Sequence, residues 1–136
     1  MKIVLDTSVV LAAFFCGGPS RRIIESVVRG KAAAYATQEI VAEYEAAVAM
    51  MASKKKGSLR PNLLLPFTTR LHIIETTPKP PLCRRPSDDR FLSCALDAKA
   101  HYIVIEFKEL YLRSRGKRVP MITAEGFSHL LRLHKS

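Results

Sequence analysis

The stretch MKIVLDTSVVLAAFF (residues 1–15) carries the pattern that decides the fold. Residues 3–5 form a short apolar run that ends at Asp6, and a second apolar stretch follows at residues 9–15. This order predicts a buried strand that ends in a polar turn and leads into a helix. The same alternation continues to the C-terminal end of the sequence.

Further strands are predicted at residues 32–36, 71–74, 102–105 and 119–122. Further helices are predicted at residues 20–28, 37–54, 62–69, 87 to about 100, 108–114 and 123–133. Ser20, Thr37 and Thr123 are the predicted N-caps. Residues 77–86 hold four of the eight prolines and predict an extended loop. Because the strands are apolar on both faces, we expect one α/β domain over residues 1–136 with a parallel sheet covered on both sides.

Composition and charge narrow the class of protein. An apolar fraction of 48% and a charged fraction of 25% are those of a globular domain and exclude a disordered tail or a fibre. The 22 Lys and Arg against 12 Asp and Glu give a net charge of +10, which attracts nucleic acid or an acidic protein. The basic residues between positions 53 and 90 are Lys54, Lys55, Lys56, Arg60, Arg70, Lys79, Arg84, Arg85 and Arg90.

The sequence also indicates where the protein is found. No apolar stretch is long enough to span a bilayer, and Asp6 interrupts the N-terminal apolar run that would otherwise suggest a signal peptide. The three cysteines, Cys16, Cys83 and Cys94, include no CxxC pair and are expected to be reduced core residues. We therefore expect a cytoplasmic protein with no membrane partner.

Acidic residues occur at three separated points that this fold can bring together. Asp6 follows the first strand, at the edge where parallel sheets bind ligands, although it is equally suited to cap the next helix. Glu43 lies at the border of the apolar stripe of its helix, whereas Glu45 points away. Asp88 and Asp89 open a later helix, where the helix dipole favours acids without any function.

Clustered carboxylates repel one another unless a cation neutralises them. Oxygen ligands suit Mg²⁺ or Mn²⁺, and such sites commonly activate a water for attack on phosphate. An acidic pocket on a basic surface therefore favours a metal-dependent nuclease. Solvated surface carboxylates remain the alternative for each acid taken singly.

Four stretches in this order resemble the PIN-domain family, in particular its small VapC-like toxin-antitoxin ribonucleases: MKIVLDTSVVLAAFF, TQEIVAEYEAAV, CRRPSDDRFLSCALDAKAHYIVIEFKELYL and VPMITAEGFSHLL. The resemblance implies a three-layer α/β/α sandwich with a parallel sheet of four or five strands. It further implies a Mg²⁺- or Mn²⁺-dependent endoribonuclease, with RNA as substrate, a cognate antitoxin as partner, and a homodimer.

Carried over by position, the resemblance makes Asp6, Glu43 and Asp89 the catalytic metal ligands, with Asp88 as the alternative to Asp89. Phe107 stands where such proteins have a fourth acid, so Glu106 or Glu109 would have to supply it, and activity is expected to be reduced or lost if neither does. Arg85 also stands where relatives often have Asp. The expected RNA contacts are Thr7, Ser8, Lys54, Lys55, Lys56, Arg84, Arg85 and Lys108.

Two further readings of the sequence remain open. A degenerate module of the same fold would bind RNA or a partner protein without cutting, and Phe107 and Arg85 motivate that reading. An aspartyl-phosphate phosphatase built on Asp6 is disfavoured, because such chemistry needs a second acid where Ser8 stands.

Overall fold

The computed structural model describes residues 1–54, 63–82, 86–106 and 119–133. The strands in these ranges are β1 (Lys2–Leu5), β2 (Ala33–Ala36), β3 (His72–Ile73), β4 (Tyr102–Ile105) and β5 (Met121–Thr123). The helices are α1 (Thr7–Phe15), α2 (Gly18–Val28), α3 (Gln38–Lys54), α4 (Leu64–Arg70), α5 (Pro86–Ala98) and α6 (Ala124–Leu133). Strands and helices alternate as the sequence predicts.

The five strands form one parallel sheet in the order β3-β2-β1-β4-β5. The chain builds outward from β1 in one direction and then returns to add β4 and β5 on the other side, with Leu5 opposite Val104. Helices α1 and α2 connect β1 to β2, α3 and α4 connect β2 to β3, and α5 connects β3 to β4. A ligand crevice is expected where the direction reverses, beyond the carboxyl ends of β1 and β4.

The core lies on both faces of β1 and β4. Ile3, Val4 and Leu5 are fully buried, and residues 103–105 of β4 are nearly so. On one face α1 and α2 pack together, with α3 against α1 and with α4 and α6 against α2, while α5 packs against β1, β2 and β4. The predicted α/β sandwich is therefore confirmed.

Several local predictions need correction. α2 begins at Gly18 and not at Ser20, because Gly17 makes the turn with a φ of 88° and Pro19 fits the first helical turn. Ser20 is consequently buried inside the helix instead of capping it. Cys16 is exposed, so the expectation that it lies in the core was wrong.

Other local predictions hold. The Thr37 hydroxyl accepts a hydrogen bond from the Ile40 amide at 3.1 Å, and the Thr123 hydroxyl accepts one from Gly126 at 3.1 Å, so both act as caps. Cys94 is buried as expected. Cys83 and the helix predicted at 108–114 lie outside the described residues. No helix in the described ranges combines the length and the apolar character that crossing a bilayer requires.

Candidate active site

The candidate site lies at the carboxyl edge of the sheet, where the strand order reverses. Asp6 directly follows β1 and its amide donates to the Val104 carbonyl of β4 at 2.9 Å. Glu106 directly follows β4. The topology thus brings acids that are 100 positions apart in the sequence to the ends of neighbouring strands.

Asp6 caps α1. Its Oδ2 accepts hydrogen bonds from both the amide of Ser8, at 3.1 Å, and the Ser8 hydroxyl. The capping interpretation of Asp6 is therefore correct. It does not compete with metal binding, because an ionised carboxylate has about four lone-pair sites.

Glu43 comes from α3 and reaches the turn that follows β1. The Thr7 hydroxyl donates to its Oε2, and the Arg90 Nη1 atom of α5 lies 2.5 Å from its Oε1. The Glu43 side chain is 30% exposed, as its place at the stripe border predicts, and Glu45 is exposed. Glu43 is thus bound to the residue that directly follows Asp6.

Tyr44 fixes α3 against the end of β1. Its side chain is fully buried, and its hydroxyl donates to the Leu5 carbonyl at 2.6 Å. Burial raises the pKa of Tyr44 well above its ordinary value, and the nearby Cys94, Asp6 and Glu43 raise it further. Because Glu43 precedes Tyr44 and Asp6 follows Leu5, this hydrogen bond brings the segments that carry the two acids together.

The first turn of α5 supplies Asp88 and Asp89. Asp89 receives the Leu82 amide on both carboxylate oxygens at 3.3 Å, which ties the end of the loop to the helix. Asp88 lies three and four positions before Phe91 and Leu92, on the helix face that is buried, and its Oδ2 atom has no contact with solvent. Asp88 therefore points toward the interior and Asp89 toward the loop.

Arg90 was predicted only as one of many basic surface residues, yet it contacts two glutamates of α3. Besides Glu43, its Nε atom lies 3.6 Å from Oε1 of Glu39, and its own side chain is 31% exposed. The 47 positions between Glu43 and Arg90 leave no local pattern from which this pair could be predicted.

Ser20 was also assigned a wrong role from the sequence. Its hydroxyl donates to Oε2 of Glu106 at 2.7 Å, and the side chain of Ser20 is buried. A helix on one face thereby orients the acid that follows β4. Sequence spacing does not reveal this contact across 86 positions.

The remaining predicted residues are distributed unevenly. Lys54 ends α3, eleven residues after Glu43 and about 16 Å farther along the helix axis, so the two side chains are not brought together. Six predicted residues lie outside the described ranges: Lys55, Lys56, Arg84, Arg85, Lys108 and Glu109. Phe107 lies outside them too.

A groove of about 850 Å³ adjoins the site on the β3 side. Its walls come from the start of α3, the end of β3, the loop at 75–82 and the start of α5. Glu39, Asp89 and Arg90 line it together with Lys79, which forms an ion pair with Asp97 at 2.8 Å. The groove thus opens directly beside the acids of α5.

The acids suit a hard divalent cation in type but are not arranged around one. Their carboxylate oxygens are the ligands that Mg²⁺ and Mn²⁺ prefer. Within the described ranges, however, no three His, Cys, Asp or Glu side chains are grouped so that they hold a metal ion. Glu43 is instead bound to the guanidinium of Arg90.

A family model described as the PIN domain matches residues 2–106. The chain belongs to the PIN-domain family. PIN domains are generally nucleases and typically use divalent metal ions. The match covers β1 through the residue after β4, which is the part of the chain that carries Asp6, Glu43, Asp89 and Glu106.

Structural comparison agrees with this assignment. The crystal structure of PAE2754 from Pyrobaculum aerophilum is similar to this PIN domain, with a TM-score of 0.64 and 15% sequence identity. The similarity covers 98% of this chain and 100% of that one. At this identity the likeness supports the fold and nothing finer. No curated protein sequence matches the chain.

Proposed function

We propose that this PIN domain is a metal-dependent endoribonuclease that hydrolyses RNA phosphodiester bonds with Mg²⁺ or Mn²⁺. The observation that carries the proposal is the hydrogen bond that joins Glu43 to Thr7, the residue after Asp6, at the reversal point of the sheet. Glu43 is in turn joined to α5, the helix that carries Asp88 and Asp89, through Arg90. Acidic residues on a protein of net charge +10 suit a phosphate substrate: the basic surface attracts the phosphate, and a cation bound by the acids would contact it.

The chain's own residues orient the ligands. Ser8 holds Asp6 through one carboxylate oxygen, and Thr7 holds Glu43 in the same way. A bound divalent cation supplies a water of lowered pKa and stabilises charge on the scissile phosphate. The basic surface concentrates RNA near the site, as electrostatic steering requires.

The geometry supports two of the ligand candidates that the sequence predicts. Asp88 is kept as a ligand candidate beside Asp89, because its Oδ2 atom lies on the buried face of α5. Glu106 is proposed as the fourth acid in place of Phe107, because Ser20 orients it at the end of β4. A site with three carboxylates instead of four would bind the cation more weakly, since charge count sets affinity for hard cations.

The sharpest test compares Glu43→Gln with Glu45→Gln on the same helix. Both variants remove one negative charge from α3, but Glu45 is exposed and points away from the site. With a generic single-stranded RNA and Mn²⁺, we expect Glu43→Gln to lose about a hundredfold or more in cleavage rate, because changes even in residues behind a metal ligand typically cost 10–100-fold. Glu45→Gln should cleave as the wild type does. Equal rates in both variants would assign the activity to another site or to a contaminant.

The partners belong to the same proposal. A VapC-like toxin role would bring a cognate antitoxin protein and a homodimer, and it would place the activity in the cytoplasm. Membership of the PIN-domain family supports this role only in general terms. Size-exclusion chromatography with light scattering tests the dimer, and cleavage that stops when the neighbouring gene's product is added tests the antitoxin.

A second candidate function is a module that binds RNA without cutting it. Phe107 at the place of the usual acid and the occupation of Glu43 by Arg90 favour this candidate. Calorimetry with Mn²⁺ separates the two, since a nuclease requires Mn²⁺ binding that Asp6→Asn weakens. RNA affinity that persists without any carboxylate-dependent Mn²⁺ binding supports the non-cutting module.

A further inference from the structure

We propose that Arg90 is an internal counter-cation that occupies Glu43 in the metal-free protein, and that a divalent cation displaces its guanidinium into the adjoining groove. The inference deepens the proposed function and rests on it. Arg90 would be a positioning residue, because metal binding at Glu43 would determine whether its guanidinium lies in the groove.

The contacts of Arg90 are those of a substitute cation. Its guanidinium lies against Oε1 of Glu43 and also reaches Oε1 of Glu39, one helical turn earlier on α3. Two glutamates at this spacing repel each other, and a positive charge between them relieves the repulsion. A divalent cation on Glu43 would relieve it in the same way and would repel the guanidinium from that position.

The surroundings allow the side chain of Arg90 to leave without moving its helix. The helix start is held by the Leu82 amide on Asp89, and the ion pair of Lys79 with Asp97 holds the loop against the last turn of the helix. Arg90 itself is about one-third exposed and lines the groove of about 850 Å³. A long, flexible arginine therefore has both a fixed base and open space beside it.

The displaced guanidinium would then serve the substrate. Arginine binds phosphate oxygens with paired, charge-assisted hydrogen bonds. In the groove it would face the phosphates of single-stranded RNA next to the acids. Arg90 thus suppresses metal binding in the free protein and becomes available for RNA when the metal arrives.

Mn²⁺ binding to the protein alone, without RNA, tests the competition. Isothermal titration calorimetry would compare Arg90→Gln and Arg90→Lys with the wild type and with Arg29→Gln, which removes an exposed arginine at the end of α2. We expect Arg90→Gln to bind Mn²⁺ about threefold to tenfold more tightly, since partly exposed ion pairs have small energies. Arg90→Lys should lie between it and the wild type, and Arg29→Gln should match the wild type.

A second measurement follows the side chain itself and uses the folded wild type. The Nε–H resonance of Arg90, identified as the one missing in Arg90→Gln, should shift as Mg²⁺ is added and level off when the site is saturated. Arg90→Gln binding Mn²⁺ no more tightly than the wild type, or an Arg90 resonance unchanged at saturating Mg²⁺, would overturn the proposal.

The outcomes separate this inference from the proposed function. If Glu43→Gln weakens Mn²⁺ binding while Arg90→Gln leaves it unchanged, the metal site stands and the role of Arg90 fails. If neither the wild type nor Arg90→Gln binds Mn²⁺, the metal-dependent function fails and this inference fails with it. Binding by Arg90→Gln alone supports both.

Discussion

The turn that joins β1 to α1 and the junction between α3 and α5 hold their carboxylates in different ways. Asp6 is oriented by Ser8, two residues away, as part of the helix cap. Glu43 is oriented by Thr7 and Arg90, which are 36 and 47 positions away. The first carboxylate is positioned by local sequence and the second by the assembled fold.

This difference implies that Asp6 is held rigidly, whereas Glu43 can adjust its position. A carboxylate that caps a helix moves only with the helix. A carboxylate paired with a partly exposed arginine can exchange partners through side-chain rotation alone. The junction is therefore the part of the site where metal affinity is expected to be set.

The largest expected effect comes from Asp6, which has two roles that one pair of variants separates. Asp6→Asn should lower Mn²⁺-dependent RNA cleavage by about a hundredfold or more, while keeping a good helix cap. Asp6→Ala should lose the same activity and in addition about 0.5–2 kcal/mol of unfolding free energy. Cleavage assays and urea denaturation measure the two quantities.

The outcome that would break the comparison is also clear for Asp6. If Asp6→Asn cleaved RNA at the wild-type rate, the turn would be a helix cap and nothing more. If Asp6→Asn and Asp6→Ala had the same free energy of unfolding, the side chain at position 6 would not stabilise α1 as an N-cap.

Tyr44 joins the two regions, so its hydroxyl should matter next most. Tyr44→Phe leaves the Leu5 carbonyl without the donor that now lies 2.6 Å away in a buried setting. We expect a loss of about 1–3 kcal/mol in unfolding free energy, measured by urea denaturation. Tyr35→Phe, on a half-buried ring of β2, is the control and should cost less. Equal losses in both variants would contradict a specific role for the Tyr44 hydrogen bond.

The anchoring of α5 predicts a smaller, pH-dependent effect. The hydrogen bond from Lys79 chiefly lowers the pKa of Asp97, and the Thr77 amide lowers it further. Because the folded pKa is below the ordinary value of about 3.8, this contact stabilises the fold above that pH and is lost as the pH falls through the folded value. An NMR titration of the Thr77 amide should show a midpoint below 3.8, and Lys79→Met should move it upward. An unchanged midpoint in Lys79→Met would show that Lys79 does not hold the loop.

The smallest expected effect concerns the Cys94 thiol, which we expect to remain unmodified by an alkylating reagent. Burial raises the pKa of this thiol to about 12, so iodoacetamide at pH 8 should modify the exposed Cys16 and leave Cys94 intact. Arg90→Gln should give the same result, because only a side chain is released and α5 stays on the sheet. Mass spectrometry of peptides provides the measurement, and rapid modification of Cys94 in Arg90→Gln would show that α5 itself moves.

Much of the fold could be predicted because it depends on short-range patterns. Apolar runs such as residues 3–5 and 103–105 are strands buried on both faces, and their hydrophobicity is visible without any partner. Thr37 and Thr123 cap their helices as expected, since capping involves residues three positions apart. The prediction that Ser20 is an N-cap was wrong, because Gly17 allows the helix to start earlier. The polar side chain of Ser20 does not reveal this backbone conformation.

The candidate site was predictable in its list of acids but not in its contacts. Asp6, Glu43 and the pair at 88–89 stood out by their position relative to predicted strands and helices. Which atoms meet depends on side-chain directions across layers, and so the pairings of Glu43 with Arg90 and of Ser20 with Glu106 were missed. Each joins residues that no local pattern relates.

For this protein, sequence alone determined the alternating elements, the basic charge and the acids that end up at the carboxyl edge of the sheet. These properties follow from periodicity and composition, which each segment carries by itself. Only the tertiary structure decided that an arginine of α5 binds the glutamate of α3 and that a buried serine holds the acid after β4. The first pairing joins two helices and the second joins a helix to the end of a strand, so their energies exist only in the assembled fold.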